Sequence, residues 1–498
     1  MNKDKIIKIL ITTFIILIPI LDMLRTTGFK DVEVFGIALI ELINICLIGG
    51  ALLLTFAKVS LKKLLFLGGY LVIVAIYIVL HYKNIIQFDT NIFALAEFSF
   101  IRETFYILRV YVLPLMLLFI LFNNRDIFNK EYYFKLVKYL IMIICFSIII
   151  LDIFKLSYIS YSANKAHVVN NLFDYFLYDG NYRKISARGF FDSANELSAI
   201  LFMLMPINIY LLYKEHTKFN VLLYVSQFIA MILLGTRTSA YGALLISVVA
   251  FVFYVVLVLL KREKQNEFFN ISFIVSLLAC SAFLFISPFM LGRVSEGTPD
   301  FSVKNTSAYD DIEKTDIKNI DKLIEKYKSE YLINELFLEV YPIQNDREFW
   351  LSIIKRDKSL NNDSRKIKTD ILNRIMQRND NPNDKFLGMG YTLNFLDLER
   401  DYYYQYYIFG ILGVLILIGP YFIIIGFIAY KSLRYFNKNF NLKTVLCFMS
   451  VALGLLIAYY SGHVFGWVGP MMILNIMFGL IGYVVYENNK KKTKKVKS

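Results

Sequence analysis

Twelve apolar segments, each about as long as a bilayer-spanning helix, restrict what this chain can fold into. They lie near residues 6–24, 33–56, 64–81, 104–122, 137–153, 193–213, 220–235, 238–260, 270–291, 402–430, 444–461 and 465–486. A helix of roughly 20 apolar residues crosses the hydrocarbon core, where every backbone N–H and C=O must find a partner inside the helix. Of the 498 residues, 57% are hydrophobic and 19% are charged. The sequence therefore predicts an all-α polytopic membrane protein with about twelve transmembrane helices.

Lysine and arginine collect in alternate short connections and so predict the orientation of the chain. These clusters are Lys58, Lys62 and Lys63; Arg125, Lys130, Lys135 and Lys138; Lys214 and Lys218; Lys261, Arg262 and Lys264; and Lys431, Arg434, Lys438 and Lys443. Short basic connections stay on the cytoplasmic side of a membrane. Both termini are therefore expected in the cytoplasm of a bacterial cell, and two long connections are expected outside the cytoplasmic membrane.

The same pattern divides the chain into six parts. We expect helices one to five in 1–153, an outer loop in 154–192, helices six to nine in 193–291, a large outer loop domain in 292–401, helices ten to twelve in 402–486 and a basic cytoplasmic tail in 487–498. Long connections are where function concentrates. The search for a site therefore starts in the two outer segments.

The net charge of +14 lies largely in the cytoplasmic clusters, where it meets anionic lipid headgroups. The lipid bilayer is thus an expected partner, and nucleic acid is not. The four cysteines, Cys46, Cys145, Cys280 and Cys447, all lie in predicted spans. Because they form neither a disulfide framework nor a metal-binding spacing, we expect no metal and no cofactor.

Two amphipathic helices are predicted in the second outer segment. Apolar residues recur there at three- and four-residue intervals, at Ile320, Leu323, Ile324, Tyr327, Tyr331 and Leu332, and again at Ile367, Ile371, Leu372, Ile375 and Met376. We expect these helices to lie against the membrane or against each other. Asn381, Pro382 and Asn383 should end the second helix.

Two arginines lie in glycine-containing turns on the predicted outer side. Arg188 precedes the sixth helix and is followed by Gly189, whereas Arg237 follows Gly235 and Thr236 between the seventh and eighth helices. Either arginine alone is commonly an interfacial anchor that reaches lipid headgroups. Two of them in polar turns favour a diphosphate site instead, because a guanidinium donates paired hydrogen bonds to anionic oxygens.

A cluster of charge also precedes the tenth helix, where Glu399, Arg400 and Asp401 are consecutive. A carboxylate beside an apolar wall has a raised pKa and accepts a proton near neutral pH, which suits Glu399 as a base. The alternative is helix capping, since acidic residues are favoured in a first turn. For Asp401 we favour capping.

Two further polar residues need a role. His463, between the last two helices on the same predicted side, is either structural or a hydrogen-bonding group for substrate. Arg109 lies inside the fourth predicted helix, where a charge is costly without a partner. Glu41, Asp22 and Asp152 are candidate partners for it, and the sequence does not choose among them.

Four segments, in this order, resemble the O-antigen ligase and Wzy-type O-antigen polymerase superfamily. They are ARGFFDSANELSAILF, LLGTRTSAYGALL, SRKIKTDILNRIMQRNDNPNDKFLGMGYTLNF and ERDYYYQYYIFGILG. The resemblance covers roughly residues 185–486. The last segment departs from the ligase pattern, because Glu399 stands where ligases carry a catalytic histidine, and this acidic version resembles the Gram-positive branch.

The resemblance implies a GT-C-like membrane glycosyltransferase that acts on undecaprenyl-diphosphate-linked oligosaccharides without a metal and with inversion. Its catalytic residues would be Glu399 as base and Arg188 and Arg237 as diphosphate ligands. Arg400, Asp401, His463, Arg365 and Asn195 would bind substrate. The implied partners are the lipid-linked donor, a glycan acceptor, a flippase and a chain-length regulator, in capsule or teichuronic-acid-like polysaccharide biosynthesis.

Other functions stay open at this point. A ligase would transfer a finished glycan to an anchor, whereas a polymerase would use a second lipid-linked repeat unit, and we favour the polymerase. A polysaccharide or lipid flippase should lack a large outer domain. A non-catalytic assembly partner should tolerate alanine at Arg188 and Arg237, whereas the enzyme should lose polymer growth with either change, and with Glu399→Gln, at unchanged protein abundance.

Overall fold

The computed structural model describes most of the chain, and every structural statement below concerns that part. The described residues are 2–29, 32–34, 37–92, 98–162, 164–174, 182–290, 319–328, 331, 333–356, 364–391, 396 and 398–490. Within them, eleven helices are long and apolar enough to cross a membrane. The predicted all-α polytopic fold is confirmed. The segment expected as the seventh span forms the shorter apolar helix Lys218–Leu233.

The membrane helices follow each other with alternating direction. They are α1 (Lys3–Leu24), α2 (Leu39–Phe56), α3 (Leu61–Ile85), α4 (Phe100–Asn123), α5 (Lys130–Ile153), α6 (Ala194–Glu215), α7 (Lys218–Leu233), α8 (Arg237–Leu259) and α9 (Glu267–Phe285). A two-residue antiparallel pair, β1 (Glu33–Val34) and β2 (Ile37–Ala38), precedes α2, with Glu33 opposite Ala38. This small hairpin lies inside the segment from which a longer second helix was expected.

The remaining helices form the second long connection and the last three spans. They are α10 (Ile320–Tyr327), α11 (Glu335–Val340), α12 (Arg347–Lys355), α13 (Ser364–Asn379), α14 (Asp384–Leu387), α15 (Asp401–Gly413), α16 (Gly419–Arg434), α17 (Phe436–Asn439), α18 (Leu442–Tyr460) and α19 (Val468–Lys490). Both predicted amphipathic helices are present as α10 and α13. Tyr331 lies beyond the end of α10 and is buried, whereas Leu332 lies outside the described residues.

Two helices form the centre of the bundle. In α6 and α19 the model buries 83% of the apolar window, compared with 17% in α2. α6 packs against α7, α8, α18 and α19, so its first turn is surrounded by the first or last turns of its neighbours. Polar residues near the start of α6 are therefore held among several chain segments.

The helix starts carry short polar caps. Ser193 accepts a hydrogen bond from the backbone N–H of Glu196 before α6, and Thr236 accepts one from Ser239 before α8. Such caps satisfy N–H groups that the helix itself leaves unpaired. The two turns that carry Arg188 and Arg237 are consequently followed by well-defined helix starts.

The bundle has two distinct ends. At one end, which we call the lysine end, lysines bond across helices, as Lys63 Nζ does to Asn123 Oδ1 at 2.7 Å and Lys130 Nζ to Glu487 Oε1 at 2.7 Å. The other end, which we call the loop end, contains residues 154–193, 319–400 and 461–467. All the candidate site residues lie at the loop end.

A break in α15 explains the glycines of the third and fourth motif segments. Gly410 has φ 66°, and the carbonyls of Tyr407 and Ile408 accept hydrogen bonds from the backbone N–H groups of Met389 and Gly390 at 2.9 and 3.0 Å. A Cβ on Gly388 would lie 2.0 Å from the Ile408 oxygen. Glycine is therefore required where segment 388–390 joins the broken helix.

α3 anchors the same segment from the other side. Asn84 Nδ2 donates to Asp384 Oδ1 at 2.8 Å and to the Gly388 carbonyl at 2.9 Å. The fully buried His81 ring contacts the Leu387 carbonyl through Nδ1 at 2.6 Å. Because buried polar groups need such partners, these bonds fix the path of the chain that leads to residues 398–401.

Candidate functional site

Arg188 is built into the fold of the first long connection. Its side chain is buried, and its Nη2 donates to the Ser162 carbonyl at 3.1 Å while Nη1 lies 3.5 Å from the Ser160 carbonyl. Burial lowers the pKa of this arginine, and Asp192 and Asp22 oppose that shift. A guanidinium nevertheless stays charged at neutral pH. Arg188 therefore acts here as a brace between its own turn and residues 160–162.

Arg237 is placed differently. It is the first residue of α8 and its side chain is exposed. The preceding turn is packed tightly, since a Cβ on Gly235 would lie 2.6 Å from Ser186 Cβ. On its other flank, Thr238 Oγ1 lies 3.3 Å from Ser461 Oγ. Arg237 is thus an exposed cation on a rigid turn that contacts the connection between α18 and α19.

Glu399 forms an ion pair with Arg365. Arg365 donates to Glu399 Oε2 from Nε at 3.0 Å and from Nη2 at 2.5 Å, and its Nη1 bonds to the Tyr460 carbonyl at 3.1 Å. Arg365 lies in the first turn of α13, so the amphipathic outer helix delivers this guanidinium to the bundle. The structure therefore joins residues of three different chain segments.

The protonation of Glu399 differs from the sequence expectation. Burial raises the pKa of its carboxyl, but Arg365 and, more weakly, Lys368 outweigh burial and hold that pKa below the ordinary glutamate value. The expected upward shift is wrong because the apolar wall is not the dominant neighbour. Glu399 is ionised at neutral pH, which leaves its carboxylate able to accept a proton.

Asp401 does not cap its own helix. Its carboxylate is buried and accepts hydrogen bonds from the backbone N–H groups of His463 at 3.0 Å, Val464 at 2.7 Å and Phe465 at 2.7 Å. The N-terminal end of α15 has no side-chain cap. The expectation of capping is wrong because a carboxylate can satisfy three backbone donors of a neighbouring loop, and this use fixes residues 463–465 against α15.

His463 and Asn195 lie together as substrate-binding candidates. His463 Nε2 is 3.3 Å from Asn195 Nδ2, in the first turn of α6, and the His463 side chain is buried. His463 is also close enough to Glu399 to act on its charge. Arg400 stands at the start of α15 with a partly buried side chain, between the two carboxylates that the sequence placed around it.

A cavity of about 310 Å³ adjoins this cluster. Its apolar part is lined by residues from the middle of α1, α4, α5 and α19, namely Phe14, Ile18, Leu113, Leu140, Ile144 and Ile473. Asp401 and Gly466 lie in its wall. The loop clamped by Asp401 therefore separates the cavity from the Glu399 site and belongs to both.

The polar part of the cavity lies at the loop end. It contains two cations, Arg25 and Arg109, and the carboxylates of Asp22, Glu41, Asp192 and Glu196. Glu41 Oε1 forms a short ion pair with Arg109 and lies 3.8 Å from Arg25 Nη2. Of the three partners considered for Arg109, the structure selects Glu41.

Aromatic side chains complete the polar part. The rings of Tyr106 and Tyr391 stack with centroids 3.7 Å apart, and both residues line the cavity together with Trp467. Tyr391 is held through its backbone N–H, which donates to the buried Glu103 carboxylate at 2.8 and 3.0 Å. Carbohydrate rings pack on such faces while their hydroxyl groups bond to neighbouring carboxylates.

A comparison with protein-family models matches residues 3–488 to the family described as O-antigen ligase like membrane protein. The chain belongs to this family of membrane proteins. Searches of curated proteins and of solved structures found no match. Because the match covers nearly the whole chain, the ligase-like character includes helices α1 to α5, beyond the 185–486 region in which the sequence motifs lie.

Sequence reasoning missed part of the ligase-like site. Arg25, Tyr106, Tyr391 and Trp467 were not singled out, although all four line the cavity. Arg25 immediately follows the first apolar helix, where a cation is usually assigned to the membrane interface, so sequence alone gives no reason to separate it from an anchor. Among the described residues, no group of three or more His, Cys, Asp or Glu side chains is arranged to hold a metal.

Proposed function

We propose that this chain is a membrane glycosyltransferase that polymerises undecaprenyl-diphosphate-linked oligosaccharide repeat units outside the bacterial cytoplasmic membrane. Family membership supports glycan transfer in a membrane. The observation that carries the finer proposal is the Glu399–Arg365 pair beside the His463 turn, next to a cavity with one apolar and one polar part. That combination suits a substrate with an isoprenoid chain, an anionic headgroup and a sugar.

The cavity provides surfaces for two parts of such a substrate. Its apolar residues suit an isoprenoid chain, since burying apolar surface contributes about 25 cal/mol per Å². Its stacked Tyr106 and Tyr391 rings and its carboxylates suit sugar rings and hydroxyl groups. The substrate would then extend from the apolar part toward the loop that Asp401 holds.

Glu399 is the proposed base. Its ionised carboxylate accepts the proton of the acceptor hydroxyl as that oxygen attacks C1 of the donor sugar. The bond between C1 and the diphosphate oxygen breaks, and its electron pair leaves with the diphosphate. Attack from the side opposite the leaving group inverts the configuration at C1, and the step requires no metal.

The cations stabilise the leaving diphosphate in this proposal. Arg237 is exposed on a rigid turn, and Arg365 lies on Glu399 itself, so both can approach an anion near the reacting atoms. Fixed donors aimed at developing charge contribute roughly 3 to 4 kcal/mol each. Arg188, which the family resemblance also assigns to the diphosphate, supports the site through the turn that leads into α6.

The partners follow from the reaction. The donor and the acceptor are lipid-linked repeat units, so a flippase must deliver them to the outer side, and a chain-length regulator would set polymer size. A ligase would instead transfer one finished glycan to an anchor, and a flippase would move substrate without forming a bond. These alternatives predict different products from the same lipid-linked substrate.

The decisive experiment uses membrane vesicles that contain the protein and a lipid-linked repeat unit. Loss of a general base slows a reaction by about 10²- to 10⁴-fold, so Glu399→Gln should abolish the ladder of polymer lengths at unchanged protein abundance. Glu339→Gln, an exposed glutamate of α11, is the matched control and should keep the ladder. A full ladder from Glu399→Gln would refute the assignment, and transfer of a single unit in the unaltered protein would favour the ligase.

A further inference from the structure

His463 has an unusual backbone conformation for a histidine. Its φ is +64°, and the preceding Gly462 has φ +67°. A side chain other than glycine rarely adopts this left-handed region unless its surroundings impose it. Here the Asp401 carboxylate holds the N–H groups of residues 463–465, and a Cβ on Gly462 would lie 3.0 Å from the Glu399 carbonyl carbon. The turn is therefore strained and held between the two carboxylate residues.

The ring of His463 is correspondingly fixed. Its side chain is 6% exposed, and Nε2 lies 3.3 Å from Asn195 Nδ2. An amide nitrogen only donates, so Nε2 accepts this hydrogen bond and the ring proton belongs on Nδ1. Among the described residues, Nδ1 has no hydrogen-bond partner. A buried N–H group without a partner is rare in native proteins and points to a missing acceptor.

The surroundings indicate what kind of acceptor is missing. Glu399, which acts electrostatically on this histidine, is itself paired with Arg365. On the other flank, Ser461 contacts Thr238, next to the exposed Arg237. A donor N–H placed between two guanidinium-bearing segments suits an anionic oxygen better than a neutral one.

We propose that the Nδ1–H of His463 donates a hydrogen bond to a phosphate oxygen of the lipid-linked diphosphate, and that Asp401 is the residue that positions it. The proposal rests on the proposed function, because it names the group that holds the leaving diphosphate in that site. Asn195 sets the tautomer, and Asp401 sets the backbone from which the ring projects. His463 is thus a binding residue, whereas Asp401 acts through it.

Two substitutions distinguish the ring nitrogens. In His463→Asn the amide nitrogen replaces Nδ1, whereas in His463→Gln it replaces Nε2, and asparagine also tolerates the left-handed backbone. A hydrogen bond to a charged group corresponds to about 10- to 100-fold in rate. In the vesicle assay we therefore expect polymer growth with His463→Gln to be lower than with His463→Asn by that factor. The exposed His167, substituted in the same two ways, should show no such difference.

A second measurement needs no substitution at the site. The chain contains four histidines, so a ¹⁵N-histidine NMR spectrum of the full protein in detergent is simple enough to assign. Farnesyl diphosphate should shift the Nδ1 resonance of His463, whereas farnesol and octyl glucoside should not. In Asp401→Asn the response to farnesyl diphosphate should weaken, because the loop no longer has its acceptor.

The outcomes separate this proposal from the proposed function. Equal activity of the two His463 variants, or a His463 resonance that ignores farnesyl diphosphate, would overturn the hydrogen bond to phosphate. A response to octyl glucoside alone would assign His463 to the sugar and overturn the proposal as well. In either case, loss of polymer growth in Glu399→Gln would leave the proposed function standing.

Discussion

Arg188 and Arg237 occupy glycine-containing turns that resemble each other in sequence but differ in the folded protein. Arg188 is buried and donates to the carbonyls of its own connection, whereas Arg237 is exposed at the first turn of α8. The difference arises because residues 157–162 fold back over the Arg188 turn, as the hydrogen bond from the Ser160 N–H to the Ser186 carbonyl records. A charged side chain can therefore serve the fold or a ligand, and its neighbours decide which.

The largest expected effect that tests this contrast comes from Arg237→Ala. Removing one fixed donor that faces a developing charge slows a reaction by about 10²- to 10³-fold, and the exposed side chain contributes little to folding. Polymer growth in vesicles should fall by that factor, while the melting temperature stays unchanged. Lys322→Ala, an exposed cation on α10, is the control and should behave like the unaltered protein.

Arg188→Ala should act first on stability. Leaving a buried acceptor without its donor costs about 1–3 kcal/mol, and the Ser162 carbonyl depends on Arg188. We expect a lower melting temperature and lower protein abundance, with Arg188→Lys intermediate. An Arg188→Ala protein of normal thermal stability that makes no polymer would reverse the comparison, because it would return Arg188 to the diphosphate site that the family resemblance implies.

The smallest effect concerns pH and tests whether Arg365 serves Glu399. Because Arg365 holds the pKa of Glu399 below its ordinary value, the stability from this pair is present at neutral pH and is lost as the pH falls through that lowered pKa. The acid limb of the rate profile should likewise lie below the ordinary glutamate range. In Arg365→Ala burial dominates, so the acid limb should move to higher pH.

Profiles normalised to each protein's own maximum separate this shift from any loss of substrate binding. Lys366→Ala removes a neighbouring cation of the same helix, which pairs with Asp370 instead, and should leave the profile in place. An unmoved acid limb in Arg365→Ala would show that Glu399 does not govern the rate.

Much of the fold was predictable because its determinants are local. Apolar length, polar caps and basic connections identify the helices, and α13 ends at Asn379 just before the Asn381–Pro382–Asn383 stop. Part of the site was predictable too, since Glu399, His463 and Asn195 were all candidates and the structure brings them near each other. Their roles stay predictions until the variants are measured.

The remaining features could not be predicted because they depend on which segments meet. Asp401 has the position of a helix cap, yet its carboxylate serves the N–H groups of a loop more than 60 positions away. The expected pKa of Glu399 was wrong for the same reason, since Arg365 approaches from the first turn of a separate helix. A sequence pattern gives the type of charge at a position, but not its partner.

By itself the sequence determined a bundle of membrane helices with its motifs in ligase order, because hydrophobic length and capping act over a few residues. Only the tertiary structure decided that Arg188 braces a turn, that Arg109 pairs with Glu41, and that a clamped histidine separates a cavity from a carboxylate. Those features arise from contacts between distant segments, where desolvation and hydrogen-bond satisfaction choose one partner among several that the sequence allows.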